Sequence, residues 1–212
     1  MNKVEINERM KLSEHFTLGE LCKTSYHTLD GNIPSRVAIE NLKNLCENWL
    51  EILRERYNRR YGVGVSPPEI GGVRGGLNDS RSDSRSSRDQ TTPNPSYSGG
   101  EVPIVISSGY RSEDVNMKCG GAKGSNHLTG CAVDIRCYGP EQMIRYACLL
   151  LDIADEKLHN RNRFPSKARL PVAFPYCVNF DELILEKRGT TYGVHFAVRP
   201  KENRRKILFD CR

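Results

Sequence analysis

Residues 102–137, VPIVISSGYRSEDVNMKCGGAKGSNHLTGCAVDIRC, decide the fold class of this 212-residue chain. The two ends of the stretch, VPIVISS and CAVDIRC, are short runs rich in β-branched residues and predict two strands. Between them the Gly-rich turn GGAKGSN allows the chain to fold back. We therefore expect His127, at the end of the turn, to approach Asp134 on the second strand.

Helices and further strands flank this unit. Apolar residues recur every three or four positions over residues 35–57, which predicts an amphipathic helix, and Pro140 opens a second helical pattern. The runs FDELILE at 180–186 and GVHFAVRP at 193–200 are strand-like, and the KRGTTY between them favours a hairpin. This order predicts an α+β domain built on a small, mostly antiparallel sheet flanked by helices.

A low-complexity segment interrupts the pattern at residues 71–100. Its thirty residues hold only three aliphatic or aromatic side chains among Ser-Arg-Asp repeats, glycines and prolines. Such a composition buries too little surface to offset the entropy of ordering, so we interpret it as a flexible insertion within a single domain of residues 1–212. An RNA-binding arm is the alternative, and the interspersed aspartates weigh against nucleic acid as a partner.

The composition excludes several classes of protein. With 37% hydrophobic and 27% charged residues, the chain is neither disordered as a whole nor fibrous. No run of 18 apolar residues is present, which excludes a membrane-spanning helix, and the charged start lacks the apolar core of a signal peptide. We therefore expect synthesis in the cytoplasm. The net charge of +6 is compatible with nucleic acid or with an anionic cell-wall polymer as a partner, although solvated helix faces and tails explain each basic patch more simply.

The cysteines do not form a recognisable metal or redox motif. There are eight of them, and no two have the CxxC spacing of zinc ribbons or thioredoxin-like proteins. Without a signal peptide, we expect mostly free, buried thiols.

Two of the five histidines have the context of metal ligands. His127 precedes Asp134 by seven residues, and His195 alternates with apolar residues on the last predicted strand, so it faces away from them. Two imidazoles and one carboxylate suit Zn²⁺ and leave a fourth position for water, as in catalytic zinc sites. The spacing alone is a weak signal, and buried, hydrogen-bonded histidines remain the alternative.

Several motifs together resemble the zinc D-Ala-D-Ala carboxypeptidase family. This family also contains L-alanyl-D-glutamate endopeptidases, D-alanyl-D-alanine dipeptidases and phage endolysins, and its metal centre is similar to that of the hedgehog signalling domain. The most specific motif is S-x-H-x-x-G-x-A-x-D at residues 125–134, preceded by SGYRS and followed by a strand with V-H. Matching segments occur in the family's order at residues 15–25, 41–54, 105–116, 120–136 and 180–198.

The resemblance implies a hedgehog/D,D-peptidase-like fold, one zinc ion per chain and a peptidoglycan or muropeptide substrate. The implied zinc ligands are His127, Asp134 and His195. Arg111 matches an arginine that faces the substrate carbonyl or carboxylate, with a structural ion pair as the alternative role. We expect Ser108 and Ser125 to help orient substrate or a ligand. A cytoplasmic dipeptidase fits this picture, as does a phage-type lysin that is later released to the cell wall.

The general base departs from the family pattern. Many relatives place a glutamate three residues before the last histidine, where this chain has Tyr192. We expect Glu186, on the strand predicted to pair with that of His195, to take the role as a catalytic residue beside Arg111, with an exposed hairpin glutamate as the alternative. Glu182 shares its face, whereas Asp181 points the other way. The alternative function is a zinc-stabilised binding or structural protein that has lost its base.

Overall fold

The computed structural model describes residues 9–62, 101–163 and 179–212, and the predicted insertion at 71–100 lies outside these residues. The described elements, in chain order, are α1 (Leu18–Leu21), α2 (Arg36–Leu45), a π-helical turn (Cys46–Leu50), α3 (Glu51–Tyr61), β1 (Val105–Ser108), α4 (Glu113–Lys118), a 3₁₀ turn (Asn126–Thr129), β2 (Ala132–Cys137), α5 (Pro140–Arg163), β3 (Glu182–Arg188), β4 (Thr191–Ala197) and β5 (Lys206–Cys211).

The strands form one sheet in the order β1-β2-β4-β3-β5. The three pairings between β1, β2, β4 and β3 are antiparallel, and β5 adds to β3 in parallel. The α+β class, the mostly antiparallel sheet and the β3–β4 hairpin are thereby confirmed. The parallel edge strand β5 was not predicted from the sequence.

The predicted helix at 35–57 extends from α2 to the end of α3. Ser35 caps its start, with the side-chain oxygen accepting a hydrogen bond from Ala38 N. The π-helical turn interrupts it and places Trp49 in the core, where its ring centroid lies 5.1 Å from that of Phe196 on β4. The helical layer is therefore joined to the sheet by an aromatic contact directly behind the strand that carries His195.

The two faces of the sheet have different roles. One face is apolar and packs against the helices, as shown by buried residues on β2, β3 and β4: Val133, Ile135, Leu183, Leu185, Val194 and Phe196. The alternate residues occupy the other face, where the strand register aligns Ser108, Asp134, His195 and Ile184 in one row. The prediction that His195 faces away from its apolar neighbours is confirmed.

Two expectations from composition can be compared with this fold. No helix among residues 9–62, 101–163 and 179–212 is long and apolar enough to cross a membrane. The seven described cysteines are free thiols, of which Cys46, Cys131 and Cys137 are buried. Cys177 lies outside the described residues.

Candidate metal centre

Three predicted ligands converge on the face of the sheet that does not pack against the helices, which we call the site face. Nε2 of His127 lies 3.3 Å from Nδ1 of His195, and the same carboxylate oxygen of Asp134, Oδ1, lies 3.2 Å from the first atom and 2.8 Å from the second. One ligand atom from each residue falls within 4.8 Å of the others. The structure therefore brings together a group that can hold a metal ion.

The spacing of these atoms fits a tetrahedral zinc ion. Bonds of about 2.0–2.2 Å to zinc place neighbouring ligand atoms about 3.3 Å apart. The separations of 3.3 and 3.2 Å match this value, and the 2.8 Å separation between Asp134 and His195 needs to widen by only a few tenths of an ångström. The donor set, two imidazole nitrogens and a carboxylate oxygen, also suits zinc.

His127 is held in place by the 3₁₀ turn and its surroundings. Ser125 caps the turn, with its Oγ accepting a hydrogen bond from His127 N at 3.3 Å. The ring Nδ1 contacts the carbonyl oxygen of Gly109 at 2.6 Å, which directs Nε2 toward the other ligands. Gly109 has to be glycine, since a Cβ there would lie 2.2 Å from the carbonyl oxygen of Leu21.

The turn ends at a second required glycine. Gly130 has a φ of 70°, in the left-handed region, and a Cβ at this position would lie 2.4 Å from the carbonyl oxygen of Ala38 on α2. The chain can therefore pass close to α2 and enter β2 immediately after His127. This contact explains the glycine of the S-x-H-x-x-G motif in physical terms.

Asp134 and His195 are brought together by strand pairing. They are directly opposite each other on β2 and β4, and such cross-strand neighbours have Cβ atoms about 4.5–5.5 Å apart. Arg111 donates from Nη2 to Oδ2 of Asp134, leaving Oδ1 to the histidines, and from Nε to Oγ of Ser108 at 2.8 Å. The predicted substrate-binding residues Arg111 and Ser108 therefore lie at the cluster, and their contact with substrate stays a prediction.

The charge of Asp134 is stabilised by its neighbours. Burial acts to raise the pKa of this carboxyl, but His127 and His195 outweigh burial and hold the pKa well below its usual range. The carboxylate is therefore ionised at neutral pH, as a metal ligand has to be.

The structure separates the candidates for the general base. Tyr192 packs against the hydrophobic core, on the face opposite to His195. Asp181 is fully buried and accepts three hydrogen bonds from Arg204, one from the backbone N and two from the guanidinium, which commits it to a structural pair. Neither side chain is placed to take a proton at the cluster.

Glu186 and Glu182 both lie on the site face, two residues to either side of Ile184, which pairs with His195. Glu186 pairs with Gly193 in the strand register, and its carboxylate forms an ion pair with Arg188 at 3.3 Å, with the side chain 24% exposed. Its role as base stays a prediction. Glu182 contacts the cluster instead: its Oε2 lies 3.9 Å from Nε2 of His195, the ring nitrogen that faces away from Asp134.

Sequence reasoning missed the groups that support the ligands. Asn126 donates from Nδ2 to Asp181 at 2.9 Å and thereby ties the His127 turn to the start of β3. Arg204, just before β5, pairs with Asp181 and with Glu182, the latter at 2.9 Å. The position of Asn126 between the two motif residues Ser125 and His127 was a local signal for it, whereas Arg204 joins the site only through tertiary structure.

Residues 96–164 match the family model of peptidase M15. No curated protein was found to match the chain. The matched stretch contains β1, the His127 turn, β2 and α5, so it includes His127 and Asp134, while His195 lies beyond it. The match confirms, over residues 96–164, the resemblance to the zinc D-Ala-D-Ala carboxypeptidase-like peptidases that the motifs indicated.

Proposed function

We propose that this protein is a zinc-dependent peptidase that hydrolyses peptide bonds in the stem peptides of peptidoglycan, by a D-Ala-D-Ala carboxypeptidase or L-Ala-D-Glu endopeptidase reaction. The observation that carries the proposal is the convergence of His127 Nε2, Asp134 Oδ1 and His195 Nδ1 within 4.8 Å. A peptidase family match supports the reaction class, and the net charge of +6 supports an anionic polymer as the setting of the substrate.

The residues of the site have distinct roles in this proposal. Zinc, when held by the three ligands, supplies a Lewis acid that polarises a carbonyl and lowers the pKa of water. Glu186 accepts the proton of the attacking water and returns it to the leaving amine. Arg111, which adjoins Asp134, stabilises negative charge on the carbonyl oxygen or holds a substrate carboxylate, and Ser108 orients the Arg111 guanidinium through Nε.

A second function is favoured by two observations on the residues that could act as the general base. Tyr192, at the family's position for the base, belongs to the core side of the sheet, and Glu186 pairs with Arg188. A protein with this arrangement and no competent base would bind zinc and a wall peptide without cleaving it. Metal binding is common to both functions, so turnover has to distinguish them.

The test is product analysis on defined muropeptides. Purified protein is loaded with zinc and incubated with muropeptides that contain each stem-peptide bond, and the products are identified by mass spectrometry. We expect one bond to be cleaved, the activity to disappear with a chelator and to return with added zinc. Zinc-loaded protein that binds muropeptides but releases no product would reject the peptidase and favour the binding protein.

A further inference from the structure

We infer that a small cleft beside the metal cluster selects substrates with a free carboxylate over the same substrates with a carboxamide, and that Lys23 is the residue that reads this difference. The inference rests on the proposed peptidase function. The cleft has a volume of about 140 Å³ and lies between the segment after α1 and the end of β1. It adjoins the cluster because Arg111, one of its lining residues, also binds Asp134.

The walls of the cleft are fixed relative to each other. Asn32, only 2% exposed, donates from Nδ2 to the carbonyl oxygens of Cys22, at 2.7 Å, and of Tyr110, at 3.3 Å. Its Oδ1 accepts a hydrogen bond from Ser112 N at 2.7 Å, and Tyr110 N bonds to Leu21 O at the same distance. One buried amide therefore connects both sides, so the cleft is formed before substrate arrives, which lowers the cost of binding.

The lining has the chemistry of an anion site. Its two charged residues are both cationic, Lys23 and Arg111, and neither Asp nor Glu is among the residues that line it. Hydroxyl groups supply further donors, among them those of Thr24 and Tyr110, whereas the Ser107 hydroxyl already donates to the carbonyl oxygen of Asp134. Cationic groups and hydroxyls that face one space without a carboxylate favour a carboxylate-bearing ligand.

Arg111 retains donors for such a ligand. Its Nε binds Ser108 and its Nη2 binds Asp134, while Nη1 makes no hydrogen bond to any residue in the described part of the chain. Lys23 is exposed, and its positive charge lies near Glu20. Burial raises the pKa of Glu20, and the charge of Lys23 partly opposes this increase. Glu20 is absent from the lining, so a substrate carboxylate can approach Lys23 from the cleft side.

The size of the cleft limits what it binds. Pockets for whole drug-sized ligands have volumes of about 300–1,000 Å³, so about 140 Å³ accommodates one small group of the substrate. Buried Val115 adds an apolar contact within the lining. A carboxylate on a small residue beside the scissile bond fits this combination, whereas a carboxamide lacks the charge that the two cations recognise.

The test compares matched peptides and matched lysine variants. The peptides are L-Ala-γ-D-Glu-L-Lys-D-Ala-D-Ala as the free acid, with the D-Glu α-carboxyl amidated, and with the C-terminal carboxyl amidated. The zinc-loaded wild type should cleave the free acid with a kcat/KM about tenfold above that of one of the two amides. Lys23→Met should reduce this ratio by about threefold to tenfold, mainly through KM, because an exposed cation contributes modestly. Lys123→Met makes the same charge change at an exposed lysine outside the lining and should keep the wild-type ratio.

Two outcomes overturn the inference and leave the proposed function intact: equal cleavage of acid and amides by the wild type, or the same loss of selectivity in Lys123→Met as in Lys23→Met. If no peptide is cleaved, the proposed function fails, and calorimetric binding of the same peptides decides the inference. Tighter binding of the free acid that is lost in Lys23→Met supports it, and equal binding of acid and amides rejects it.

Discussion

Glu182 lies beside His195 at the candidate metal centre, and its substitution gives the sharpest test of the site. The carboxylate oxygen Oε2 lies 3.9 Å from Nε2 of His195, while Nδ1 of the same ring faces Asp134 at 2.8 Å. A carboxylate at the outer nitrogen of a ligating imidazole fixes the orientation of the ring and raises its basicity. We therefore expect Glu182→Gln to weaken zinc binding.

The structure also sets the size of the effect. Loss of an outer partner typically costs 10- to 100-fold in metal affinity. The contact to His195 is 3.9 Å long, and its oxygen, Oε2, also accepts a hydrogen bond from Asn126 at 3.3 Å. The other oxygen, Oε1, is held by Arg204 at 2.9 Å and Lys206 at 3.5 Å, so the lower end of the range applies. The expected loss is about tenfold, or about 1.4 kcal/mol. Arg204 keeps its pair with Asp181, which preserves the fold in the variant.

The assay is a zinc titration against a competing chromophoric chelator, which yields the dissociation constant without any substrate. Glu186→Gln is the matched control, since it makes the same change four residues along the same face of β3. It should bind zinc within twofold of the wild type, yet lose about 10²-fold or more in turnover if Glu186 is the base. The reasoning is refuted if Glu182→Gln binds zinc as the wild type does, or if Glu186→Gln loses as much affinity.

Three further predictions follow from the site and the fold. His127→Ala, Asp134→Ala and His195→Ala should each remove the single zinc measured by metal analysis, because two ligands do not complete the tetrahedron; wild-type zinc content in any variant would remove that residue from the ligand set. Burial acts to raise the pKa of Asp181, but hydrogen bonds from Arg204 and Asn126 outweigh it and lower the pKa to about 2. Because the pKa is lowered, the stabilisation is present above about pH 4 and disappears as the pH falls toward 2. Asp181→Asn should thus lose about 2 kcal/mol of unfolding free energy at pH 6, as measured by denaturant titration, and this difference from the wild type should shrink between about pH 4 and pH 2. A pH-independent difference would contradict this cause. Finally, deletion of residues 72–98 should retain both melting temperature and zinc content, since the segment has the composition of a low-complexity loop; a large loss of either would show that it contributes to the core.

The sequence predicted those parts of the fold in which local pattern and final environment agree. Alternating residues on β2 and β4 and the apolar spacing of α2 and α3 reflect a single buried face, so periodicity was sufficient. β5 had no such signal, because its residues Ile207, Leu208 and Phe209 are all exposed to a substantial degree. Its parallel pairing with β3 depends on how the chain returns after β4, which a local pattern does not contain.

The ligands were predicted through a motif, but the motif did not determine which carboxylate supports them. Glu182 and Glu186 are equally far along β3 from Ile184, so sequence spacing and strand register treat them alike. The difference arises from distant partners: Arg204 and Lys206 hold Glu182, whereas Arg188 holds Glu186. The two partners of Glu182 belong to the segment around β5, the part of the sheet that the sequence did not predict, whereas Arg188 lies on β3 itself.

The two histidines reach the metal position through different nitrogens, and the fold accounts for this difference. His195 stands on a strand directly opposite Asp134, so its nearer nitrogen, Nδ1, faces the carboxylate, and Nε2 extends toward β3. His127 lies in the 3₁₀ turn that precedes β2, so its outer nitrogen Nε2 reaches the cluster and Nδ1 remains beside Gly109. The ring of His127 is therefore oriented by a backbone carbonyl, which a substitution cannot remove. The ring of His195 is oriented by the side-chain carboxylate of Glu182, which a substitution can remove. A single substitution on the β3 side of the site, where Glu182 lies, should therefore change metal affinity and leave the ligand residues in place.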